Sequence, residues 1–568
     1  MQSMYQELKE VWRELTAPGA QFEVTEVPVR GTMIKAYKQA PPSLREVWLA
    51  SAAHGDKDYL VYGDERWTYT RAHEEVDHIA GWLAAQGLAQ GDRVAIAMRN
   101  YPEWLLTYWA CVAQGITVVG MNAWWVPDEM SYGLEDSAPK VLVCDQERFD
   151  RFTEISNGFP DITVVGVRLK AWPEGVVPFD TLRQFDAKMP EVTIDGDEDA
   201  CIFYTSGTTG RPKGAQLTHR GCVTNIMNLA FWATASGGAM AKSMGTPPAD
   251  PASAPALSGL VTTPLFHVTA NNCLAHSATL SGGKLVLMYR WDPLEALKMI
   301  EREKITNLTG VPVMSRELIS HPDFDKYDTS SLLSVGGGGA QLQPDLVGKI
   351  DQTVKTARPG TGYGMTETCG IITSIGADFF VDKPESCGPA MPTFDVKIVG
   401  SDGTEMPLGQ VGELWVKGAP VIKGYLNRPD ATAESITDGW LHTGDVARLD
   451  EDGFIYIVDR VKDMVLRGGE NIYCAEVETV LFNIEGVAEC SVVGVPDDRL
   501  GEEVGAAIVL KPGADVTAAS IREYCGVHMA RHKIPRYLWL LDKPLPRNAN
   551  GKFLKRELRE ALKIDDAA

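Results

Sequence analysis

The stretch Ala200-Cys-Ile-Phe-Tyr-Thr-Ser-Gly-Thr-Thr-Gly-Arg-Pro-Lys-Gly214 indicates most about how this chain folds. It begins with an apolar run that predicts a short buried strand, and the loop after the run is rich in glycine and hydroxyl groups. Glycines let the backbone bend so that consecutive N–H groups converge on an anion. The groups that would surround such an anion are Thr205, Ser206, Gly207, Thr208, Thr209 and Lys213. The stretch therefore predicts a phosphate-binding loop at the end of a strand. It lacks the G-x-x-x-x-G-K-[ST] spacing of a Walker A loop.

Strands and helices alternate in the sequence before this loop. Tyr59–Tyr62 and Arg66–Tyr69 flank a Gly-Asp-Glu turn and predict a hairpin, and the helical spacing that follows ends at Gly87. The next predicted elements are a strand at Arg93–Met98, a helix at Glu103–Gln114 and a strand at Thr117–Gly120. Repeated βαβ units imply mixed, mainly parallel sheets flanked by helices, so the fold class is α/β.

The sequence changes character after Asp459-Arg-Val-Lys-Asp463, which follows the predicted strand Phe454–Val458. Beyond it come short predicted strands, an amphipathic helix near Ala518–Met529 and a basic tail interrupted by prolines. We place a domain boundary here, with a large N-terminal domain at 1–461 and a small α+β C-terminal domain at 462–568. A unit of that length is large enough to fold as a domain.

Composition narrows the classes of function. The 568 residues are 44% hydrophobic and 23% charged, as in ordinary globular proteins, and 54 basic against 76 acidic residues give 54 − 76 = −22. So acidic a surface repels polyphosphate backbones, which argues against a nucleic-acid partner but not against small anions in a local basic pocket.

Neither a signal peptide nor a transmembrane segment is predicted. Met1–Leu15 carries two glutamates and lacks the apolar core of a signal peptide. The longest apolar stretch, Trp104–Met121, is interrupted by Gln114-Gly115 and predicts a buried helix followed by a buried strand. The ten cysteines are scattered without a CxxC pair, which fits reduced thiols and a cytoplasmic location.

A second glycine-rich block, Gly360-Thr-Gly-Tyr-Gly-Met-Thr-Glu367, combines groups that suit a nucleotide. The glycines beside Tyr363, Gly362 and Gly364, leave its ring open for a base to stack on. Thr366 offers a hydroxyl to a phosphate, and Glu367 offers a hard oxygen ligand for Mg²⁺. Taken alone, a buried tight turn explains the block equally well.

Three further features predict a function only when they are considered together with these two blocks. In Gly336-Gly-Gly-Gly-Ala340 the side chains are absent or small, and a strand-end turn is an explanation for each glycine taken alone. Asp445 in Trp440–Asp445 can accept from two hydroxyls of a ribose, whereas a lone Asp after Gly is usually a solvated turn. Lys552, in Pro546-Arg-Asn-Ala-Asn-Gly-Lys552, would by itself be taken as a solvated terminal lysine.

The blocks, in this order, resemble those of the adenylate-forming superfamily of acyl-CoA synthetases, peptide-synthetase adenylation domains and luciferases. The resemblance runs from about residue 40 to residue 560. It implies that the small C-terminal domain is mobile and swings about a hinge between two half-reactions. It also implies the chemistry: a carboxylic acid, ATP and CoA, with Mg²⁺, give acyl-CoA, AMP and pyrophosphate through an acyl-adenylate.

The resemblance also implies roles in nucleotide binding. The glycine- and hydroxyl-rich loop and Thr366 contact the phosphates, and Glu367 holds the metal. Gly338, Gly339 and Ala340 form the wall against adenine, and Asp445 with Arg460 contacts the ribose.

In the C-terminal part, the resemblance implies a catalytic lysine, a hinge and a thiol channel. Lys552 is the candidate for the lysine of adenylation, whose ammonium stabilises charge between the carboxylate and the α-phosphate. Lys462 occupies the hinge position. Gly469, in Arg467-Gly-Gly-Glu-Asn471, would let the pantetheine arm of CoA pass close to the backbone.

For the acid, Thr263-Pro-Leu-Phe-His-Val268 is similar to the acyl-CoA synthetase pattern, with His267 bordering the carboxylate pocket. Amino-acid-activating relatives usually carry Asp here, so an amino acid is disfavoured. Where some long-chain enzymes carry a gating Trp, this chain has Asn271 or Asn272, which argues against a closed fatty-acid tunnel. Trp232 and Ala233–Gly259, a predicted mobile surface loop, would shape the acyl pocket.

Several functional alternatives stay open from the sequence. Medium- to long-chain fatty acids are the first expectation, and aryl or polycyclic acids are the second. An acyl-AMP ligase that loads a carrier protein is a further alternative, although no carrier domain is appended. An inactive nucleotide-binding module is disfavoured by the intact Lys552, Glu367 and Asp445. The sequence does not indicate an oligomeric state and leaves a homodimer open.

Overall fold

The computed structural model describes residues 2–205, 211–247, 255–339, 342–468, 470–547 and 553–568. The chain divides into two compact units, the first formed by Met1–Asp395 with Val416–Leu441 and the second by Val396–Trp415 with His442–Ala568. The predicted domain boundary at Lys462 lies inside the second unit, at the predicted hinge, and stays a prediction.

The strands are numbered in chain order. In the first part of the chain they are β1 (Val24–Val29), β2 (Thr32–Tyr37), β3 (Asp58–Tyr62), β4 (Glu65–Thr68), β5 (Arg93–Ala97), β6 (Thr117–Gly120), β7 (Val141–Asp145), β8 (Thr163–Val167), β9 (Val177–Pro178), β10 (Asp199–Thr205), β11 (Lys213–Thr218), β12 (Ser258–Val261), β13 (Lys284–Leu287), β14 (Asn307–Gly310), β15 (Ser334–Gly337), β16 (Arg358–Met365) and β17 (Gly370–Gly376). The later strands are β18 (Gly388–Pro389), β19 (Phe394–Val399), β20 (Gly412–Gly418), β21 (Ile436–Thr437), β22 (Trp440–Leu449), β23 (Phe454–Arg460), β24 (Val465–Arg467), β25 (Glu470–Ile472), β26 (Val487–Asp497), β27 (Gly501–Leu510) and β28 (Tyr537–Leu541).

The α-helices are numbered in the same way. They are α1 (Gln2–Thr16), α2 (Leu44–Ser51), α3 (Tyr69–Ala85), α4 (Pro102–Val112), α5 (Pro127–Ser137), α6 (Gln146–Ile155), α7 (Phe179–Leu182), α8 (His219–Ser243), α9 (His276–Ser281), α10 (Pro293–Glu303), α11 (Pro312–Ile319), α12 (Pro344–Thr353), α13 (Ala377–Asp382), α14 (Pro429–Ser435), α15 (Cys474–Phe482), α16 (Ala518–His528) and α17 (Lys555–Ala561). Across the described ranges, no helix combines the length and the apolar character that a membrane span requires.

The first unit contains two large sheets that are parallel in their centres. One has the strand order β11-β10-β6-β5-β7-β8-β9, and the other has the order β17-β16-β15-β14-β12-β13-β3-β4. Antiparallel partners occur at their edges, where β11 pairs with β10, β17 with β16 and β4 with β3. Val, Ile, Leu and Ala supply most of the buried apolar side chains of the central strands, as expected for parallel strands covered on both faces. The predicted α/β class of mixed, mainly parallel sheets flanked by helices is confirmed.

Most predicted elements before the phosphate-binding loop are confirmed. The hairpin is β3–β4, and the strand–helix–strand order at residues 93–120 is β5, α4 and β6. Gly87 follows α3 with φ +79°, a conformation that costs glycine little at the end of a helix.

The predicted surface loop at Ala233–Gly259 is wrong at both ends, because α8 continues to Ser243 and β12 begins at Ser258. Alanines in this stretch favour helix, and Gly238 has a packing role instead. A side chain at Gly238 would lie 3.2 Å from Val11, so the missing Cβ lets α1 pack closely on α8. Residues 248–254 of the stretch lie outside the described residues.

The second unit has its own sheet and core. Its sheet has the order β25-β24-β27-β26, with β28 parallel to β27. Apolar residues of these strands pack against α15 and α16 around Val492, Ile508 and Leu538. Elsewhere in this unit β22 and β23 are antiparallel. The predicted small α+β C-terminal fold is confirmed, and its strands β26 and β27 are longer than predicted.

Candidate active site

Strands β10 and β11 hold the two ends of the predicted phosphate-binding loop. Thr205 and Lys213 are register partners across these strands, and the Thr205 hydroxyl donates to the Lys213 carbonyl at 3.5 Å. The loop is therefore closed by a hairpin pair and does not open into a helix. Ser206, Gly207, Thr208 and Thr209 lie outside the described residues.

Helix α5 braces both flanks of this loop. On the N-terminal flank, the Tyr204 hydroxyl donates to Asp136 Oδ2 at 2.9 Å. On the C-terminal flank, the Tyr132 hydroxyl donates to the Pro212 carbonyl at 2.9 Å, and the Arg211 guanidinium lies 4.9 Å from the centre of the Tyr132 ring. Because a helix of the buried α/β core is rigid, these contacts fix where the loop begins and ends.

A segment far along the chain joins the phosphate-loop flank to Glu367. Residues 423–426 run beside β11, where the Gln216 N–H donates to the Gly424 carbonyl at 2.9 Å and the Leu426 N–H to the Gly214 carbonyl at 2.8 Å. This pairing places Tyr425 next to the flank of the phosphate-binding loop and next to Glu367. Its hydroxyl donates to Glu367 Oε1 at 2.8 Å, and Lys213 Nζ lies 4.5 Å from the centre of its ring. Two sequence-predicted site residues thus meet on one tyrosine.

Thr366 and Glu367 begin a short 3₁₀ turn directly after β16, and both are 8% exposed. The Ile422 N–H donates to the Glu367 carbonyl at 3.0 Å, which ties this turn to the segment that carries Tyr425. Among the described residues, no lysine or arginine forms an ion pair with the Glu367 carboxylate. A partly accessible carboxylate that is oriented by a hydroxyl and not neutralised by a cation is a suitable donor for Mg²⁺.

Residues 360–365 of the glycine-rich block belong to strand β16, which pairs with the edge strand β17, so a tight turn is found only at Thr366 and Glu367. Tyr363 is half-buried, and its N–H donates to Thr373 Oγ1 at 3.3 Å on β17. A Cβ at Gly362 would lie 3.1 Å from the Thr373 carbonyl oxygen, so these glycines allow close backbone approach. At Gly364 the register with β17 shifts, as in a bulge.

The predicted adenine wall lies at the end of β15. The backbone of Gly339 has φ +75°, which favours glycine, and a Cβ at Gly338 would lie 3.2 Å from Thr269 Cγ2. The wall is therefore in contact with the segment that follows His267. Ala340 lies outside the described residues.

His267 is half-buried and lies just before a π-helical turn at Thr269–Ala275. Its Nδ1 accepts the Thr269 N–H at 3.3 Å, so a neutral ring carries its proton on Nε2. In that turn Asn271 and Asn272 are fully buried, and their amides bond to internal partners such as the Cys369 carbonyl at 3.0 Å. Single π-helical turns are frequent at functional sites.

Asn100 anchors the segment that carries His267 to the neighbouring sheet. Its Nδ2 donates to the Thr263 carbonyl at 3.0 Å, and its Oδ1 accepts the Leu265 N–H at 3.0 Å. Both groups of one buried amide are thus used to hold the backbone on either side of Pro264.

In the second unit, Asp445 and Arg460 face each other across β22 and β23. Arg460 Nε lies 3.0 Å from Asp445 Oδ1, and Asp445 is 4% exposed. Gly444 has φ +69°, and its N–H donates to Glu413 Oε1 at 2.9 Å, which sets the backbone before the aspartate. The solvated-turn alternative for Asp445 is wrong.

Three predicted residues concern the C-terminal domain. Lys462 is exposed in the turn after β23. Gly469 and Lys552 lie outside the described residues. No group of three or more side chains that could hold a metal ion by themselves occurs among the residues that the structure does describe.

Residues 47–426 match the family model of AMP-binding enzymes. The chain belongs to the AMP-binding enzyme family. Residues 476–552 also match the model of the AMP-binding enzyme C-terminal domain.

Among similar proteins, the feruloyl-CoA synthase of an Amycolatopsis species is 34% identical over 88% of this chain and 94% of its own length. The long-chain-fatty-acid–CoA ligase FadD13 of Mycobacterium tuberculosis is 33% identical over 88% of this chain and 93% of its own. The structure of o-succinylbenzoate CoA synthetase from Bacillus subtilis in complex with ATP and magnesium ion has a TM-score of 0.75 and 29% identity, and the match covers 90% of this chain and 99% of that one.

This AMP-binding enzyme is therefore an AMP-forming acid–thiol ligase of the acyl-CoA synthetase branch of the adenylate-forming superfamily. Sequence reasoning found its local motifs but missed three residues that organise them. Tyr425 is signalled only by an aromatic residue after Lys423-Gly424, Tyr132 by an aromatic residue in a polar helix, and Asn100 by a polar residue after a buried strand. None of these signals is specific without the tertiary contacts.

Proposed function

We propose that this AMP-binding enzyme joins an apolar carboxylic acid to CoA at the expense of ATP, through an acyl-adenylate. The observation that carries the proposal is the contact of Tyr425 with both Lys213 and Glu367. That contact gathers a cation from the phosphate loop and a metal-binding carboxylate within reach of one polyphosphate. Lys213, and the Mg²⁺ that Glu367 would hold, would neutralise negative charge on the phosphates, which phosphoryl transfer requires most.

In the first half-reaction, a carboxylate oxygen of the acid attacks the α-phosphorus of ATP. A new phosphorus–oxygen bond forms, the bond to the β-phosphate bridge breaks, and pyrophosphate leaves. Lys213 and Lys552 would stabilise the negative charge that develops, and Thr366 would contact the α-phosphate. Glu367 would hold Mg²⁺, which neutralises charge on the phosphates when bound.

In the second half-reaction, the thiol of CoA attacks the acyl carbon, and AMP leaves while the thiol gives up its proton. We propose that the C-terminal domain, 462–568, moves about Lys462 between the two steps, and that Gly469 lines the thiol path. Lys462→Pro should then slow thioester formation more than adenylation. Equal loss of both steps would refute the hinge assignment.

For the nucleoside, we propose the roles that the resemblance implies. Asp445, oriented by Arg460, would accept the ribose hydroxyls, and Gly338, Gly339 and Ala340 would face the adenine with Tyr363 beside it.

For the acid, we propose medium- to long-chain fatty acids first. The segment Thr263–Val268 carries no carboxylate to bind a substrate ammonium, so an amino acid is disfavoured. An aryl acid is the second candidate, favoured by the 34% identity to a feruloyl-CoA synthase. The acid carboxylate would lie beside His267, whose orientation is set by Thr269.

A single panel tests reaction and substrate together. Release of AMP and pyrophosphate is measured with octanoate, palmitate or ferulate, each with and without CoA. A CoA ligase should release AMP in every turnover only when CoA is present, and should show its highest kcat/KM with a fatty acid. Turnover with ferulate but with neither fatty acid would indicate that the substrates are aryl acids. Stoichiometric adenylate without thioester on any acid would indicate a ligase that loads a carrier protein.

A further inference from the structure

A buried cluster of charges in the second unit has no role in the chemistry described so far. Lys555, the first residue of α17, places Nζ 2.8 Å from Glu478 Oε1 on α15. Their side chains are only 15% and 19% exposed. Burial lowers the pKa of Lys555, but the charges of its neighbours, with Glu478 first among them, together outweigh burial and raise the pKa of this ammonium. Lys555 therefore keeps its positive charge in the folded protein.

Three carboxylates surround Lys555, and two of them, Glu478 and Asp459, are tied to the backbone, while Asp463 also acts on its charge. Glu478 Oε1 also accepts the Val492 N–H at 2.8 Å on β26. Asp459, 7% exposed at the end of β23, accepts the N–H of Cys474 at the start of α15, and its charge acts on Lys555. The ammonium thus lies where β23, α15 and β26 meet, and α17 cannot shift without separating it from these carboxylates.

The segment on the other side of residues 548–552 is held as well. Arg547 Nη2 donates to Glu489 Oε1 at 2.9 Å, and the Leu545 N–H donates to Glu489 Oε2 at 2.8 Å. Arg547 pairs with Phe553 as an isolated bridge, and its guanidinium lies 4.1 Å from the centre of that ring. The Leu554 N–H donates to the Pro546 carbonyl at 2.9 Å. Both ends of a segment that contains Lys552 are therefore fixed by described contacts.

Stability alone is a weak explanation for a buried lysine–glutamate pair. Such pairs are often replaced by apolar residues without loss of stability, because desolvation of two charges offsets their attraction. In some proteins, buried ionic groups instead specify one defined position of the backbone that carries them. Lys555 is separated from Lys552 by only Phe553 and Leu554.

We propose that Lys555 is a positioning residue for adenylation, which fixes the C-terminal end of the Lys552 segment against Glu478. This inference rests on the proposed role of Lys552. It assigns to Lys555 no contact with substrate. A small displacement of a catalytic group can cost about 100-fold in rate, so a lost anchor should be visible in the step that uses Lys552.

The test separates the two half-reactions in the full-length enzyme. Adenylation is followed by pyrophosphate release from ATP with octanoate, and thiolysis by thioester formation from octanoyl-adenylate and CoA, with ferulate and feruloyl-adenylate in parallel. The double variant Lys555→Met/Glu478→Met removes both charges of the ion pair, and Asp459 keeps its hydrogen bond from the Cys474 N–H. It should lower adenylation about 10- to 100-fold and leave thiolysis close to wild type. Lys555→Arg, which keeps the cation, should retain most of the adenylation rate.

The matched control is Lys533→Met/Glu476→Met, which removes another lysine–glutamate pair of α15, with Nζ 2.6 Å from Oε1. It should change neither step. Equal loss of adenylation and thiolysis in the Lys555 double variant, or no loss in either, would overturn the inference. The variant Lys552→Ala distinguishes failure of the inference on Lys555 from failure of the proposed function. If Lys552→Ala keeps adenylation, the assignment of Lys552 itself is wrong.

Discussion

The hydroxyl of Tyr425 donates to Glu367 Oε1 at 2.8 Å, while the face of the same ring receives Lys213 Nζ at 4.5 Å from its centre. Burial raises the pKa of Tyr425, and the charge of Glu367 raises it further, so the phenol remains a donor at every working pH. One side chain therefore orients a carboxylate and a cation that sequence motifs place in separate blocks.

Tyr425→Phe should weaken Mg²⁺ use without disturbing the ring that Lys213 contacts. A hydrogen bond to a charged group contributes about 1.5–3 kcal/mol, so the Mg²⁺ concentration for half-maximal adenylation should rise about 10- to 100-fold. Pyrophosphate release at varied Mg²⁺ and saturating ATP measures this half-maximal Mg²⁺ concentration. As a control, Tyr456→Phe removes a hydroxyl that donates to Asp450 at 3.2 Å and should leave the Mg²⁺ requirement unchanged. An unchanged requirement in Tyr425→Phe would contradict the role of Glu367 as metal ligand.

Asp445→Ala should remove discrimination between ATP and 2′-deoxy-ATP. If both ribose hydroxyls donate to this carboxylate, loss of one costs the wild type about 1.5–3 kcal/mol in kcat/KM, or about 10- to 100-fold. In the variant the two nucleotides should react at similar kcat/KM. Asp402→Ala, which alters an exposed turn carboxylate bonded to the Thr404 N–H at 3.0 Å, should keep the wild-type preference. A preference for ATP that survives in Asp445→Ala would place the ribose elsewhere.

Local patterns sufficed for much of the fold, because strands such as β5 and β6 are short apolar runs bounded by turns. They failed at α8, where Gly237-Gly238 indicated a loop. The missing Cβ of Gly238 is explained only by the approach of Val11 on α1, a contact that no local pattern contains.

The candidate site also has some features that local sequence patterns predict and others that depend on tertiary contacts. The phosphate loop and the 360–367 block were visible because glycines and hydroxyls cluster in the sequence. Tyr425 was not visible as a site residue in the sequence, because its position depends on the pairing of residues 423–426 beside β11. Asp445 was assigned only by resemblance, since its burial and its pairing with Arg460 depend on a strand register that the sequence does not specify.

Asp459 should make stability depend on pH. Burial raises the pKa of Asp459 from 3.8 to about 6, and Lys555 is the largest influence in the opposite direction. Because the folded pKa is the higher one, the contribution of this group is fully present below 3.8 and is lost as pH rises through about 6. The loss amounts to about 3 kcal/mol at 1.36 kcal/mol per pKa unit.

A ¹³C-carboxyl titration of the folded enzyme should show Asp459 titrating near pH 6. In Lys555→Met the midpoint should move upward, because the opposing ammonium is gone. Between about pH 4 and 7, the unfolding temperature should then fall less steeply with pH in Asp459→Asn than in the wild type. A midpoint near that of a free aspartate would show that the carboxylate is solvated.

Gly364→Ala should disrupt the nucleotide block, because a Cβ there would overlap the Gly370 carbonyl oxygen and lie 2.7 Å from Ile371 Cα. Backbone atoms of a paired strand cannot move away as a flexible side chain would, so β16 and β17 must separate beside Tyr363 and Glu367. Overpacking of this kind costs about 1–3 kcal/mol, and both the unfolding temperature and adenylation should fall. The matched control is Gly348→Ala on α12, where nothing lies within 4 Å of the added methyl and the helix gains about 1 kcal/mol. That variant should be active and at least as stable as the wild type, and a Gly364→Ala enzyme that behaves in the same way would show that the close approach of these strands is not required for ATP use.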